Sequence, residues 1–254
     1  MLEPLKVVLV RPETPENIGF IARCMRGYGL SDLRLVGVEA PHPEGYASKA
    51  YWTAHSSESI LRSSQSFATL PQALSDCQQA IGFSRRERDS SQIHFDLQMV
   101  QAHFEGRLSP SISHFTVLPQ PGLNTALVFG CESKGLSPSD VLHLTHLVGI
   151  PMPDSEMSLN LSHAVAIALY ALATSTKEPP SQNLKALRPT LEESMHALDL
   201  VMEELNRSGF LTKGKKEAIQ REKVRILWQR LQPTRGELDF ICGALKSLPE
   251  KAER

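Results

Sequence analysis

The sequence contains no apolar run near the ~18 residues that a membrane-spanning helix requires. Its start, Met-Leu-Glu-Pro-Leu-Lys, lacks a basic stretch followed by a long apolar segment and a small-residue cleavage site, and passes straight into Val7-Val8-Leu9-Val10. The opening is therefore expected to be a first strand, and the protein cytoplasmic with no membrane partner. There is no Cys-x-x-Cys pair: Cys24, Cys77, Cys131 and Cys242 are scattered, with no histidine beside them at ligand spacing. That argues against a zinc site and against a disulfide framework, so buried free thiols and no metal are expected. Both phosphate-loop fingerprints, G-x-x-x-x-G-K-[ST] and G-x-G-x-x-G, are missing, which counts against a metabolic α/β enzyme that grips a nucleotide. Nor is the chain a polycation: 27 Lys+Arg stand against 28 Asp+Glu, for a net charge of −1.

What is present is an ordinary globular balance. Apolar residues make up 41% and charged residues 22% of 254 positions, enough for one good-sized core and a smaller appended unit. Charge is unevenly placed. Residues 1–175 carry 12 basic and 16 acidic side chains, and residues 176–254 carry 15 and 12. Eight of the basic residues fall between Arg207 and Arg230, among them Lys213, Lys215, Lys216 and Arg221, against only Glu217 and Glu222. A local stretch of this kind suits a polyanion, and equally a solvated helix face.

Along the chain, short apolar runs, the first of them β-branched, predict strands at Lys6–Val10, Leu33–Val36, Ala80–Phe83, Ala126–Phe129 and Leu147–Ile150. A helix is expected to open near Asn17: Ile18, Ile21, Ala22 and Met25 fall on one face, with Arg23 and Arg26 off it. Leu70–Asp76 reads as a short helix, and His42–Ser66 as weakly helical. Leu159–Ala173 is apolar nearly all round and is expected to be a buried helix. Strands alternating with helices imply a mostly parallel α/β sheet covered on both faces, with ligands beyond the carboxyl ends of its strands. A Pro- and Ser-containing linker is expected over 176–189. An all-α extension over 190–254 follows, opened by a Thr190/Glu193 capping box and continued by helices near Lys216–Leu231 and Arg235–Leu248. At this size the extension is marginal alone, so it should pack on the first domain (1–175) or on a partner chain.

Three segments carry the chemistry. In Pro15-Glu16-Asn17-Ile18-Gly19 with Ala22-Arg23, the helix start offers free backbone N–H groups. Gly19 lets another backbone approach, and Arg23 could grip a phosphate bidentately. Taken alone, Asn17 could be a helix cap and Arg23 a surface cation. In Phe129-Gly130-Cys131-Glu132-Ser133-Lys134-Gly135-Leu136, a glycine just past a strand admits a ligand to the backbone, and Glu132 is a good acceptor for a ribose or an amine. In Ile150-Pro151-Met152 followed by Ser158-Leu159-Asn160-Leu161-Ser162, more small polar groups precede an apolar helix than one cap requires.

These segments, N-I-G-x-x-A-R, F-G-x-E-x-x-G-L and I-P-M…S-L-N-L-S, in this order over residues 15–162, resemble the three motifs of the SpoU/TrmH side of the SPOUT methyltransferases. Leu205–Phe210 and Arg235–Gly243 resemble the tail of its TrmJ branch, the tRNA (cytidine/uridine-2′-O)-methyltransferases of the anticodon loop. The resemblance implies a SPOUT α/β-knot, with a deep trefoil knot over roughly Ala80–Ala173, and a homodimer whose active site the partner subunit completes. It also implies S-adenosylmethionine held by three loops: Phe83-Ser84-Arg85; Gly130 and its neighbours; and Ile150 with Met157-Ser158-Leu159. Here the first of these departs from the family, since Gly82 is followed by Phe83 and then Arg85-Arg86 where small residues are usual.

The implied reaction is in-line transfer of a methyl group to a ribose 2′-oxygen of tRNA, with no metal. Arg23 would hold an RNA phosphate and the 2′-oxygen. An arginine is always protonated, so the phosphate or a water would help take the proton. Asn17 and Glu132 would orient Arg23 or the ribose, and Ser158 would bond near the reacting centre. Lys213, Lys215, Lys216 and Arg221 would meet tRNA. The rival expectations are the same chemistry on ribosomal RNA, or a protein that binds the cofactor and RNA without catalysis.

Overall fold

Residues 5–45, 47–84, 94–97, 123–152, 154, 157–174, 187–211 and 214–248 are described by a computed structural model. Among the described residues, seven strands form one sheet: β1 (Leu5–Val10), β2 (Leu33–Val36), β3 (Gln65–Phe67), β4 (Gln79–Phe83), β5 (His94–Asp96), β6 (Thr125–Phe129) and β7 (His146–Gly149). Their order is β3-β2-β1-β6-β4-β7-β5, and every neighbouring pair is parallel. Five strands lie within a residue or two of the segments read from sequence. The edge strands β3 and β5 are additions, three residues each, too short and too polar in sequence to register as apolar runs.

Alternate residues of each central strand face opposite ways, which is why both faces need covering. On one face Val7, Leu9, Leu35, Leu127 and Phe129 pack against α1 (Pro15–Gly27), α2 (Lys49–Ala54), α3 (Glu58–Arg62) and α6 (Leu161–Thr174). On the other, Val8, Val10, Ala126 and Val128 pack against α4 (Leu70–Leu74) and α5 (Pro138–Val141). Each such Val or Leu, fully buried, contributes about 1.5–3 kcal/mol.

Two expectations are corrected. The first helix opens at Pro15, with Thr14 at its N-cap, because proline's fixed φ and missing N–H suit the first helical position; Asn17 is already inside the first turn. And α6 is buried along one side only. Val165, Ala168, Leu169 and Leu172 are buried, while Ile167 and Tyr170 are exposed, Tyr170 by 59%. Its apolar character covers two surfaces, and one of them is open to solvent in the single chain.

The described residues of the extension form the helices α7 (Leu191–Arg207), α8 (Lys215–Leu231) and α9 (Arg235–Lys246), around Ala197, Leu198, Met202, Trp228 and Leu238. The capping box expected at its start is present: the Glu193 N–H donates to Thr190 Oγ1 at 3.1 Å, and the Thr190 N–H to Glu193 Oε2 at 2.7 Å. It docks on the sheet through polar contacts. Leu191 N–H donates to the Cys77 carbonyl at 2.7 Å, and Gln229 Nε2 to the carbonyls of Leu142 and Leu144 at 2.7 and 3.0 Å. Gln232 Nε2 lies 3.0 Å from His146 Nε2. Of the expected linker, residues 176–186 lie outside the described residues, as do 85–93 and 98–122 within the expected knot.

Candidate active site

β6 lies between β1 and β4, so the carboxyl ends of β1, β4, β6 and β7 come together although the chain visits them far apart. This is the switch region where open α/β sheets hold ligands. A cleft of about 200 Å³ opens there, lined by Phe83 and Ser84 after β4, by Gly130–Gly135 after β6, by Ile150 and Met152 after β7, and by Met157, Ser158, Leu159, Leu161 and Ala164 where α6 begins.

The loop after β6 is tight. The Gly135 N–H donates to the Cys131 carbonyl at 2.8 Å, and a Cβ on Gly130 would come within 2.1 Å of Gly135 backbone. Only glycine fits at 130, and Glu132 stands at the tip of the resulting hairpin. Its carboxylate does not point freely into the cleft. Oε2 accepts from the Glu13 N–H at 2.8 Å, and Oε1 from the Thr14 N–H at 3.1 Å and from Asn17 Nδ2 at 2.8 Å. Asn17 Oδ1 in turn accepts from Asn160 Nδ2 at 3.1 Å, and Asn160 Oδ1 takes the Ser162 N–H and hydroxyl at 2.9 and 2.7 Å.

One polar chain therefore ties the entry to α1, the loop after β6 and the start of α6. Burial pushes the Glu132 carboxyl up, but the hydrogen bonds from Asn17 and from the backbone outweigh it, and the group ends below its usual range. A carboxylate at the open N–H end of α1 is also where the helix dipole favours one.

Gly19 performs the role expected of it: a Cβ there would meet the Ala50 carbonyl oxygen at 2.0 Å and Thr53 Oγ1 at 2.1 Å, so α2 lies directly on α1. Arg23 is placed differently from the other motif residues. It is exposed, and no hydrogen bond or ion pair joins it to another described residue. It shares an outward stripe of α1 with Phe20 and the half-buried Cys24. Among the described residues, none from α1 lines the cleft.

A family model for the SpoU rRNA Methylase family matches residues 4–170. The chain belongs to that family. Two similar proteins are the uncharacterized tRNA/rRNA methyltransferase LasT of Escherichia coli and the tRNA (cytidine/uridine/adenosine-2′-O-)-methyltransferase TrmJ of Pseudomonas aeruginosa. The first is 33% identical over 183 residues, 72% of this chain and 73% of LasT. The second is 31% identical over 259 residues, 96% of this chain and 93% of the relative. The crystal structure of TrmJ from Z. mobilis shares the fold, with a TM-score of 0.76 at 24% identity over 95% of this chain and 97% of that one.

Within this SpoU-family fold, the residues present fit S-adenosylmethionine at the cleft. Phe83 stacks on Phe129, ring centroids 4.6 Å apart, and with Ile150, Leu159 and Leu161 forms an apolar wall suited to a base. Ser84, Ser133, Ser158 and the turn backbone supply polar groups at its edges. Arg85 and Lys213 lie outside the described residues, as does the side chain of Lys215. On α8, Lys216 is exposed, whereas Arg221 is engaged by Glu217 at 2.9 Å one turn away. Among the described residues no group of three or more His, Cys, Asp or Glu is arranged to hold a metal ion, and no helix is long and apolar enough to cross a membrane.

Asn160, present in the third motif but given no role of its own from the sequence, links that motif to Asn17. Its signal in the sequence is the excess of small polar residues before α6.

Proposed function

We propose that this protein methylates a ribose 2′-oxygen of tRNA, using S-adenosylmethionine bound in the cleft at the ends of β4, β6 and β7. The observation that carries this reading is the Glu132–Asn17–Asn160 chain, which locks the three motif loops around one cleft. The full-length likeness to proteins named as tRNA 2′-O-methyltransferases supports tRNA as the substrate. When bound, the cofactor supplies an electrophilic methyl group. Phe83, Ser84, Gly130, Ile150, Met157, Ser158 and Leu159 would hold it.

The chain's own residues have separable tasks. Glu132 and Asn17 position the cleft rather than transfer protons, since their polar atoms are committed to each other, to Asn160 and to backbone. Ser158, exposed at the cleft, is free to hydrogen-bond a ribose. Arg23 grips phosphate and steadies the 2′-oxygen while the phosphate or a water accepts its proton.

A second copy of the chain is part of this reading. Arg23 does not line its own cleft; it lies on the outward stripe of α1 that exposes Phe20 (45% exposed), and the neighbouring α6 exposes Ile167 and Tyr170. α1 packs directly against α6, and Tyr28 at the end of α1 packs on the same core cluster as both helices. A surface of this composition suits a self-complementary interface. Arg23 of one copy, on this reading, serves the cleft of the other. On this reading residues 1–175 form the catalytic domain, and 190–254 a helical extension that presents Lys216 and its basic neighbours to tRNA from a cytoplasmic dimer.

The test is methylation of unmodified tRNA, with ribosomal RNA in a parallel reaction. Transfer to ribosomal RNA alone would replace the substrate. Cofactor binding without transfer to either would leave a non-catalytic binding protein.

A further inference from the structure

Arg11, the first residue beyond β1, has a backbone φ of +51°, a left-handed conformation that a side chain other than Gly or Asn rarely adopts. Its N–H nevertheless donates to the Val36 carbonyl at 2.8 Å, so the turn is fixed to the end of β2. The conformation sends the guanidinium to Asp140 on α5, which it meets with both terminal nitrogens, at 3.3 and 2.5 Å. Arg11 Cγ also lies over Gly37, where a Cβ would come within 3.0 Å. Strain retained at a strand end beside a cleft points to a task for the side chain that requires it.

Asp140 is 8% exposed at its side chain, and it also takes the N–H and hydroxyl of Ser137, at 2.7 and 2.6 Å. Ser137 follows immediately on the hairpin 130–136. Just beyond Arg11, the Glu13 and Thr14 N–H groups hold Glu132 at the tip of that same hairpin. Segments 11–14 and 132–140 are thus joined at two separated points, and Arg11–Asp140 closes the outer one.

We propose that Arg11 is a positioning residue for the cleft. Through Asp140 and Ser137 it fixes the exit of the 130–136 hairpin, and through its own backbone it aims the two N–H groups that hold Glu132. The proposal rests on reading the cleft as the cofactor site, and it extends that reading to a residue outside the three motifs.

The test uses full-length protein with Arg11→Ala, Arg11→Lys, Asp140→Asn and the Arg11→Ala/Asp140→Asn double variant. The first readout needs no ligand: hydrogen exchange of the Gly135 amide, which the hairpin protects. The second is calorimetric binding of S-adenosylhomocysteine. Arg11→Ala should speed exchange and weaken binding, each about tenfold, as expected when a site is displaced by a fraction of an ångström to an ångström. Methyl transfer should then show a raised KM for S-adenosylmethionine with kcat nearly kept. Arg11→Lys should recover part of the loss, because an ammonium can still reach Asp140 as a point charge. The double variant should be no worse than the worse single one, since both remove one link. Wild-type exchange and binding in Arg11→Ala, or additive losses in the double variant, would overturn the proposal. If the wild-type protein did not bind S-adenosylhomocysteine, the cofactor reading would fail, while the exchange of Gly135 would still decide whether Arg11 holds the hairpin.

Discussion

Asn17 on α1 donates a 2.8 Å hydrogen bond to Glu132 after β6, across 115 positions of sequence, and accepts another at 3.1 Å from Asn160 before α6. Asn17 is buried, and each of its polar ends serves a different loop. Asn17→Ala would remove a donor from the Glu132 carboxylate and leave the exposed Asn160 Nδ2 to water, at a cost of about 1–3 kcal/mol, most of it at Glu132. Asn17→Asp should be worse at neutral pH, because it sets a second carboxylate against the first, and should improve as the pH is lowered and one of the two takes a proton. Thermal melts from pH 7 to pH 4 distinguish the two variants. Equal behaviour of both at all pH values would contradict the assignment.

Arg23 has no partner among the described residues and stands on the open stripe of α1. Arg23→Ala is expected to abolish methyl transfer while leaving S-adenosylhomocysteine binding nearly unchanged. Arg23→Lys should rescue little, because an ammonium cannot form the two parallel bonds of a guanidinium. Turnover assays with calorimetry alongside check both statements, and near wild-type turnover of the alanine variant would refute the role.

The shared-site arrangement makes a prediction for mixed dimers. Phe20→Glu or Tyr170→Glu should give folded monomers without activity, measured by light scattering and circular dichroism. Mixing an Arg23→Ala subunit with a Ser158→Ala subunit should restore part of the activity, since one site of each heterodimer would then carry both wild-type groups. No restoration on mixing would mean that each chain serves its own cleft.

His146 links pH to the docking of the extension. Burial, reinforced by the positive charge of Arg188, pushes its imidazole down to about 4, and Gln232 of the extension lies against it. An unfolded histidine titrates near 6.5. Between these values the unfolded chain takes up a proton that the folded one refuses. This part of the stability is fully present above about pH 6.5, declines as the pH falls and levels off below about pH 4; it is on the order of a few kcal/mol. His146→Gln should flatten the melting profile across that window, and an unchanged profile would show that another group is responsible.

On α8, Lys216 and Lys223 are exposed and, among the described residues, enter no ion pair. Lys216→Glu with Lys223→Glu should weaken tRNA binding about tenfold, without affecting cofactor binding. The salt dependence should fall by roughly one unit of slope for each phosphate that the variant no longer neutralises. Filter binding at several salt concentrations measures this. Unchanged affinity would move the RNA surface elsewhere.

The central strands and most long helices are legible in the sequence because their apolar periods are local properties. Leu33–Val36 matches its strand in full, and the Thr190/Glu193 box opens α7 as expected. The edge strands are not legible. Gln65–Phe67 pairs only because β2 presents a free edge, a fact of the whole sheet rather than of those three residues. The exposed stripe of α6 is also hidden, since Ile167 and Tyr170 look the same in a sequence whether they face a core or a second chain. Asn17, Glu132 and Arg23 are each visible as motif residues. That the first two bond to each other while the third faces outward depends on β6 lying beside β1, which no local pattern encodes.

The most direct measurement incubates the purified protein with methyl-labelled S-adenosylmethionine and tRNA that lacks ribose methylation, then maps the labelled nucleotide. Label is expected on a ribose 2′-oxygen of tRNA, and is expected to be lost in Arg23→Ala. Absence of label from tRNA under conditions where the cofactor binds, or label on a base instead of a ribose, would contradict it.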